Sequence, residues 1–520
     1  MHMPDLDFPK LGDCDQLTYY DLMAMLCWKI AQSGEESYKA LYQKVCNGLD
    51  GYISAAKKLY PELLSLSNAT PPLYCSPNSN AKKRLLSFAH QVKDTELDNL
   101  ALLVGAVAAM DSLMVHQENI PKFLKNKHSD IISQEKGVSD SVYSFEALNT
   151  CTNQRFGVLL PRLPCVWERE DGRTLDTVGM QPLSLALKNH IWLSNTKSWD
   201  ITNLYLDIRK TGLCPERIRN VSAFQILSSP ICNVAPFQTE LNLQDKAFYI
   251  HYLTEEDARV VTSIKKVINQ AVSQKADIVV FPEMMASATA IESSEAYISA
   301  LRARGKPKLY FMPTTEQCCG GQWKNTLRIL DQDGLCVFEY HKRQPFQYDK
   351  KQETAADTLK KKVSYFEPIS PDNKVCIIHV PGIGRIGMLI CSDIFEEGYL
   401  YSLVRQFQLT LVVYPVFTFG KDLMMRMVEI TKVLSCDIIL CNTCSAWDDT
   451  LVHPSHRKVN TQFHRDFVNV YYPNGHKMEP EIPQKLTCRG ENCHGCCFQT
   501  VLATDYKGQT AMSEQFEFEV

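Results

Sequence analysis

From about residue 220 onward, apolar runs of strand length alternate with amphipathic helical segments, and this alternation constrains the fold more than any other feature of the chain. Residues 223–227, 277–281 (DIVVF), 308–312, 326–330, 375–379, 387–390, 409–413 and 437–441 read as strands. Residues 256–274 carry apolar side chains at three- and four-residue spacing and read as a helix, as do 422–434 between the last two strands. A run such as DIVVF suits a strand buried on both faces, so this region is expected to be a layered α/β domain.

The N-terminal part follows a different period. Residues 18–32, 38–60, 81–92 and 95–116 have helical spacing, separated by Pro61, the Thr70-Pro71-Pro72 turn and Ser76-Pro77-Asn78. Thr95 followed by Asp98 suits a helix start. The most apolar stretch, 100–110 (LALLVGAVAAM), is well short of the roughly 20 residues that cross a bilayer and reads as a buried helix. Between 121 and 219 a polar Lys/Ser/Asp segment gives way to short mixed runs to which no fold or chemistry is assigned. The expected organisation is a helical region over 1–120, an unassigned or linking stretch over 121–219, and the α/β domain over 220–520.

At about 150 residues per domain, 520 residues need more than one core, and 45% hydrophobic with 22% charged residues belongs to a globular chain. The 55 basic and 59 acidic residues leave a net charge of −4, so neither nucleic acid nor a membrane is an expected partner. Met1-His2-Met3-Pro4-Asp5 lacks the basic and apolar regions of a secretory signal, which points to a cytoplasmic protein with its 20 cysteines reduced. Cys376, Cys436, Cys441 and Cys444, on or near apolar strands, read as small buried hydrophobes. Cys488, Cys493, Cys496 and Cys497, with His494 beside them and His453, His456, His464 and His476 upstream, offer zinc donors. Their C-x4-C-x2-C spacing is irregular for a zinc ribbon, so thiols with solvated histidines are the preferred reading and no metal is expected.

Three reactive side chains stand where strands of the α/β domain end, the usual position for chemistry in open sheets. Glu283 follows Val279-Val280-Phe281-Pro282, where partial desolvation would raise its pKa toward that of a general base. Lys342 ends the run Phe338-Glu339-Tyr340-His341 after the Asp331-Gln332-Asp333-Gly334 turn. Cys391 terminates Ile386-Gly387-Met388-Leu389-Ile390 at a strand-to-helix turn, where backbone N–H groups can meet an oxyanion. Each alone is compatible with a structural role. Together they stand in order, 59 residues apart (283 to 342) and 49 apart (342 to 391).

This ordered set resembles the nitrilase, or carbon–nitrogen hydrolase, superfamily over about residues 220–520. Further pieces fit: Gln274-Lys275-Ala276-Asp277 ahead of the first strand, Lys324-Asn325-Thr326 in the middle hairpin, Gly384-Arg385-Ile386-Gly387 leading to Cys391 and Asp393, Leu411-Val412-Val413-Tyr414-Pro415, and residues 495–508 (GCCFQTVLATDYKG). The resemblance implies an αββα sandwich, often paired into a homo-oligomer, after a mainly α-helical N-terminal region. It implies Cys391 as nucleophile, Glu283 as proton carrier, and Lys342 with the Ser392 backbone N–H as oxyanion donors. A second carboxylate is expected between lysine and cysteine, with Glu353 as the candidate chosen and Glu367 as the other one available. Residues 447–492 are longer than the family's usual connection and read as an insertion. The implied function is cysteine-dependent hydrolysis of a non-peptide carbon–nitrogen bond in a small molecule, an amide rather than a nitrile, with no cofactor. Acyl transfer from the same thioester is an alternative. Another is a non-catalytic sensor or scaffold whose helical region binds a protein partner, with membership of a larger bacterial defence polypeptide as a further option.

Overall fold

The computed structural model of the chain describes residues 19–33, 35–64, 79–113, 142–144, 156–161, 182–188, 190–193, 200–206, 223–228, 237–303, 305–317, 321–352, 361–380, 384–396, six positions between 399 and 409, 411–417, 436–443, 468–471, 477–478, 496–503 and 511–517. It divides into two units, Met1–Ile131 with Ser144–Asp200, and Ile132–Tyr143 with Ile201–Val520. The stretch 121–219 is thus shared between them.

In the first unit, helices Tyr19–Ala31, Glu35–Cys46, Leu49–Leu59 and Ser79–Gln91 accompany the central helix Leu97–Leu113. That central helix is apolar on every side and buried from Leu100 to Asp111 except at Leu102, because neighbouring helices surround it. The single helix expected over 38–60 is two helices, with Gly48 in a non-helical conformation as the cap of the second. Gly105 allows the closest approach: a Cβ there would lie 2.5 Å from the backbone carbonyl of Tyr52. Gly105→Ala is therefore expected to lower the thermal midpoint. Overpacking against an immovable backbone costs about 1–3 kcal/mol, more than the ~1 kcal/mol gained in helix propensity. A raised midpoint in a thermal melt would contradict this packing. The strands β2 (Val158–Pro161) and β3 (His190–Leu193) pair in this unit, and Phe156, Leu159 and Leu187 join its core. His190 Nδ1 lies 2.9 Å from Asp111 Oδ1 and Lys188 N donates to Asp111 Oδ2 at 3.0 Å, so the buried carboxylate is satisfied on both oxygens.

The second unit is built on two large sheets. One has the order β1-β4-β14-β15-β16-β17-β18-β19 and comprises Val142–Ser144, Asp200–Leu206, Lys374–Val380, Gly384–Met388, Leu411–Pro415, Asp437–Cys441, Val468–Tyr471 and Lys477–Met478. The other has the order β11-β10-β9-β8-β5-β20-β21. In that order its strands are Cys336–His341, Trp323–Asp331, Leu309–Gln317, Ile278–Val280, Ala223–Ser228, Cys496–Ala503 and Ala511–Glu517. The inner strands β15, β16 and β17 run parallel, as do β5, β8 and β9, so in each sheet several carboxyl ends point the same way. Side chains join the two sheets face to face: Cys441 Sγ lies 3.5 Å from Val280 O, and Tyr340 Oη donates to Asp393 beyond β15.

Helices Thr254–Ser273 and Ala288–Ala300 cover the outer face of the seven-stranded sheet, burying Val260, Ile264, Val267, Ile268, Ile291 and Ile298 against Val279, Tyr310 and Met312. On the eight-stranded sheet, Arg385 Nε of β15 donates to the main-chain oxygen of buried Phe407. A helical layer and two facing sheets are described, in keeping with the αββα sandwich expected from the sequence. The helix expected over 422–434, most of the 447–492 insertion, and Cys444, Cys488, Cys493 and His494 lie outside the described residues.

A third, four-stranded sheet has the order β12-β13-β7-β6, from Gln347–Gln352, Lys361–Phe366, Ala247–Tyr252 and Phe237–Asn242. Its core is Phe237, Phe248, Ile250, Met284 and Tyr365. Met284 immediately follows Glu283, so this accessory sheet adjoins the place where the reactive residues converge.

Candidate functional site

Glu283, Lys342 and Cys391 meet beyond the carboxyl ends of strands, each carried there by a different element. The buried run of β8 ends at Val280, and Phe281-Pro282 lead to Glu283, whose side chain is fully buried. Lys342 follows β11, its N–H donating to Asn325 O on neighbouring β10. Cys391 begins the short 3-10 turn Cys391–Phe395 after β15. Cys391 and Met284 both adopt left-handed backbone conformations, with φ of 43° and 61°. Each costs about 1–2 kcal/mol in a non-glycine residue, strain of the kind stored at functional turns.

Lys342 Nζ donates to Glu283 Oε1 at 2.8 Å and to Glu367 Oε2 at 2.7 Å. Asn325 Nδ2 bridges the same two carboxylates at 2.8 Å each. Glu367 is therefore the second carboxylate that the structure brings to the site, and it arrives on the residue after β13. Glu353 lies outside the described residues. The phenylalanine amides complete the shell, Phe417 N donating to Glu283 Oε2 at 2.9 Å and Phe346 N to Glu367 Oε2 at 3.1 Å.

Burial sets the electrostatics. It pushes the Glu283 carboxyl up, helped by repulsion from Glu367 and opposed by Lys342. Burial would draw Lys342 down, yet Glu283 and Glu367 hold its ammonium well above the ordinary range. Burial and the Glu283 charge push the Cys391 thiol well up, with Lys342 opposing. Cys391 therefore rests as a thiol beside a carboxylate of raised basicity, with a fixed cation within electrostatic reach. Its Sγ lies 4.0 Å from Phe417 O.

Asp393 ties the nucleophile turn to the lysine segment. It accepts from Tyr340 Oη at 2.8 Å, Ile390 N at 2.9 Å, and the N–H groups of Arg343 and Gln344 at 2.8 Å each. Burial still raises its carboxyl to about 6. Ser392 is buried in the same turn, and its hydroxyl donates to Gln344 O at 2.5 Å; Tyr414 Oη donates to Cys391 O at 2.5 Å. Sequence reasoning gave no role to Phe346, Tyr414 or Phe417. Two of these contribute backbone amides, which leave no side-chain signature. Asn325 stood in the motif Lys324-Asn325-Thr326 and could have been singled out as an amide at a position the sheet buries.

Among the described residues, no group of three or more His, Cys, Asp or Glu side chains is placed to hold a metal ion, and no helix is long and apolar enough to cross a membrane.

The carbon–nitrogen hydrolase family model matches residues 247–423, which hold Glu283, Lys342, Glu367 and Cys391. Among solved structures, the chain is similar to a glutamine-dependent NAD+ synthetase from Acinetobacter baumannii, at 15% identity and a TM-score of 0.30, over 42% of this chain and 38% of that one. It is similar to Nit3 from Saccharomyces cerevisiae, a member of branch 10 of the nitrilase superfamily, at 13% identity and a TM-score of 0.33, over 57% and 90% of the two chains. An amidase from Nesterenkonia sp. aligns at 12% identity and a TM-score of 0.32, over 57% and 91%. A search of curated proteins found no match. The second unit of the chain therefore carries a carbon–nitrogen hydrolase domain, over residues 247–423.

Proposed function

We propose that this domain hydrolyses a non-peptide carbon–nitrogen bond, an amide rather than a nitrile, through a thioester on Cys391. The observation that carries the reading is Lys342 buried between two carboxylates beside a thiol on a strained turn. Cys391 Sγ attacks the carbonyl carbon as its proton passes to Glu283, and the carbonyl π pair moves onto oxygen. Lys342 and the Ser392 backbone N–H face that oxyanion. Collapse breaks the carbon–nitrogen bond, and the departing amine takes the proton from Glu283, because an unprotonated amide nitrogen leaves poorly. Water then attacks the thioester, giving its proton to Glu283 or Glu367, and the thiol is restored. An amide supplies the nitrogen that Glu283 protonates, whereas a nitrile would need a further hydration step.

Incubating the full chain with acrylamide, an electrophilic amide, is expected to modify Cys391 faster than exposed Cys46 and Cys336. Mapping of the modified peptides by mass spectrometry reads the rates. Incubation with cell extract should leave an acyl mass on Cys391 that is absent from Cys391→Ala. A folded wild-type chain whose Cys391 reacts no faster than Cys46, and carries no acyl mass, would refute the reading. Hydrolysis predicts the same free acid with and without an added amine; capture of the acyl group by that amine would make the domain a transferase.

A further inference from the structure

Neither carboxylate of the site receives its main-chain hydrogen bond from a regular strand ladder. Glu283 is held by the amide of Phe417, just beyond β16, and Glu367 by the amide of Phe346, just beyond Lys342. The two amides sit in different segments, but both rings rest on the same hairpin, β6–β7. The Phe417 ring packs on Phe237 of β6, with centroids 5.5 Å apart and planes at 60°. The Phe346 ring meets Phe248 of β7 edge-on, at 6.2 Å and 81°. Phe237 and Phe248 are both buried and so present fixed surfaces.

The hairpin reaches Glu367 by a second route. Ala247 pairs with Phe366, the residue before Glu367, and Phe366 N donates to Lys246 O at 2.8 Å. Glu367 N donates to Phe346 O at 2.9 Å, closing a loop between carboxylate, aromatic and hairpin. At its other end the hairpin is fastened to the seven-stranded sheet by Thr315 N donating to Tyr252 Oη at 3.2 Å. It begins ten residues ahead of the stretch matched by the family model.

We infer that the hairpin β6–β7 is a positioning element that sets the two carboxylates separately, Phe237 through Phe417 for Glu283 and Phe248 through Phe346 for Glu367. The inference rests on the proposed role of these carboxylates in Cys391 chemistry. The amide of Phe417 engages Oε2 of Glu283, while Oε1 faces Lys342 and Asn325. If the Phe417 ring loses its support, the amide shifts, Glu283 loses a donor that favours its ionised form, and the carboxylate rotates about its remaining bonds. Phe237 and Phe248 touch no reacting atom and are positioning residues.

The test is the rate at which acrylamide modifies Cys391 in the full chain, with exposed Cys46 as internal reference and a thermal melt confirming the fold. Phe237→Ala is expected to slow modification roughly tenfold, the order of one lost hydrogen bond to a charged group. Phe237→Leu should give a smaller loss and keeps the test alive if the alanine variant fails to fold; Phe248→Ala and Phe248→Leu form the matching pair. Each aromatic variant should add nothing in the background of its own carboxylate variant, Glu283→Gln for Phe237 and Glu367→Gln for Phe248. Each should retain its full effect in the other background. Equal, additive losses in every background would show a general packing role and overturn the inference. A wild-type Cys391 no more reactive than Cys46 would instead remove the catalytic reading, and this inference with it.

Discussion

Lys342→Met is expected to destabilise the sandwich domain by about 3–5 kcal/mol at pH 8, the cost of leaving buried charge without its partner. In the native chain the ammonium is fully buried between Glu283 and Glu367, at 2.8 and 2.7 Å. Methionine fills a similar volume, so the loss is electrostatic rather than a cavity effect, and the two carboxylates are left facing each other with Asn325 and two backbone amides as donors. The pH dependence fixes the sign. Burial already raises the folded pKa of Glu283, and removing the cation that opposes this raises it further. A carboxyl raised on folding stabilises most fully below its unfolded pKa and loses that contribution as pH rises through the folded value. The variant should therefore lie closest to the native chain near pH 5 and fall away by pH 8. Denaturant unfolding at the two pH values checks this; a loss of the same size at both, or none, would mean that the lysine does not neutralise the pair.

The reactive set was legible because Glu283 and Cys391 each follow a strand whose apolar run could be read, Lys342 follows the run after the Asp331-Gln332-Asp333-Gly334 turn, and their order and separation did the rest. Sequence reasoning put Glu353 ahead of Glu367. Glu367 follows β13, which opens with Lys361 and Lys362 and pairs with β12, which carries Asp349, Lys350 and Lys351, so the hairpin that delivers it reads as a solvated loop. The β6–β7 hairpin was missed for a related reason: Gln238, Thr239 and Glu240 are exposed, and the strand buries little besides Phe237. Helix Ala288–Ala300 is rich in small and polar residues and buries only Ala290, Ile291, Ser294 and Ile298, too weak a stripe to stand out. Helical period continues through Asn47-Gly48, so the break there followed from glycine's freedom to leave the helix rather than from any change of pattern. What escaped the sequence at the site was mostly main chain. The amides of Phe346 and Phe417 act through their position, which tertiary structure decides.

Glu283→Gln is expected to lower turnover by roughly 10²–10⁴-fold, the range for loss of a positioned general base. Acylation of Cys391 should suffer comparably, because the thiol is pushed up by burial and by the Glu283 charge and depends on that carboxylate to take its proton. The wild-type rate should fall on acidification as Glu283 takes up a proton. Since burial raises that carboxyl, the acid limb should lie above the usual carboxylate range, and it should disappear from the residual activity of the variant. Stability should move differently. With both glutamates ionised, the cluster of Lys342, Glu283 and Glu367 carries one excess negative charge; the neutral amide of the variant balances it and keeps the size and one acceptor oxygen for Lys342 and Asn325, while its NH2 loses the bond from Phe417 N. The two effects oppose each other, so the variant should melt close to the wild-type temperature at pH 8 while its chemistry is lost, in contrast to Lys342→Met. Steady-state kinetics on the substrate identified from the acyl adduct, run beside thermal melts, reads both quantities. A variant that retains turnover within about threefold of wild type would exclude Glu283 as the base, and a variant that loses activity only in proportion to lost folded protein would assign it a structural role.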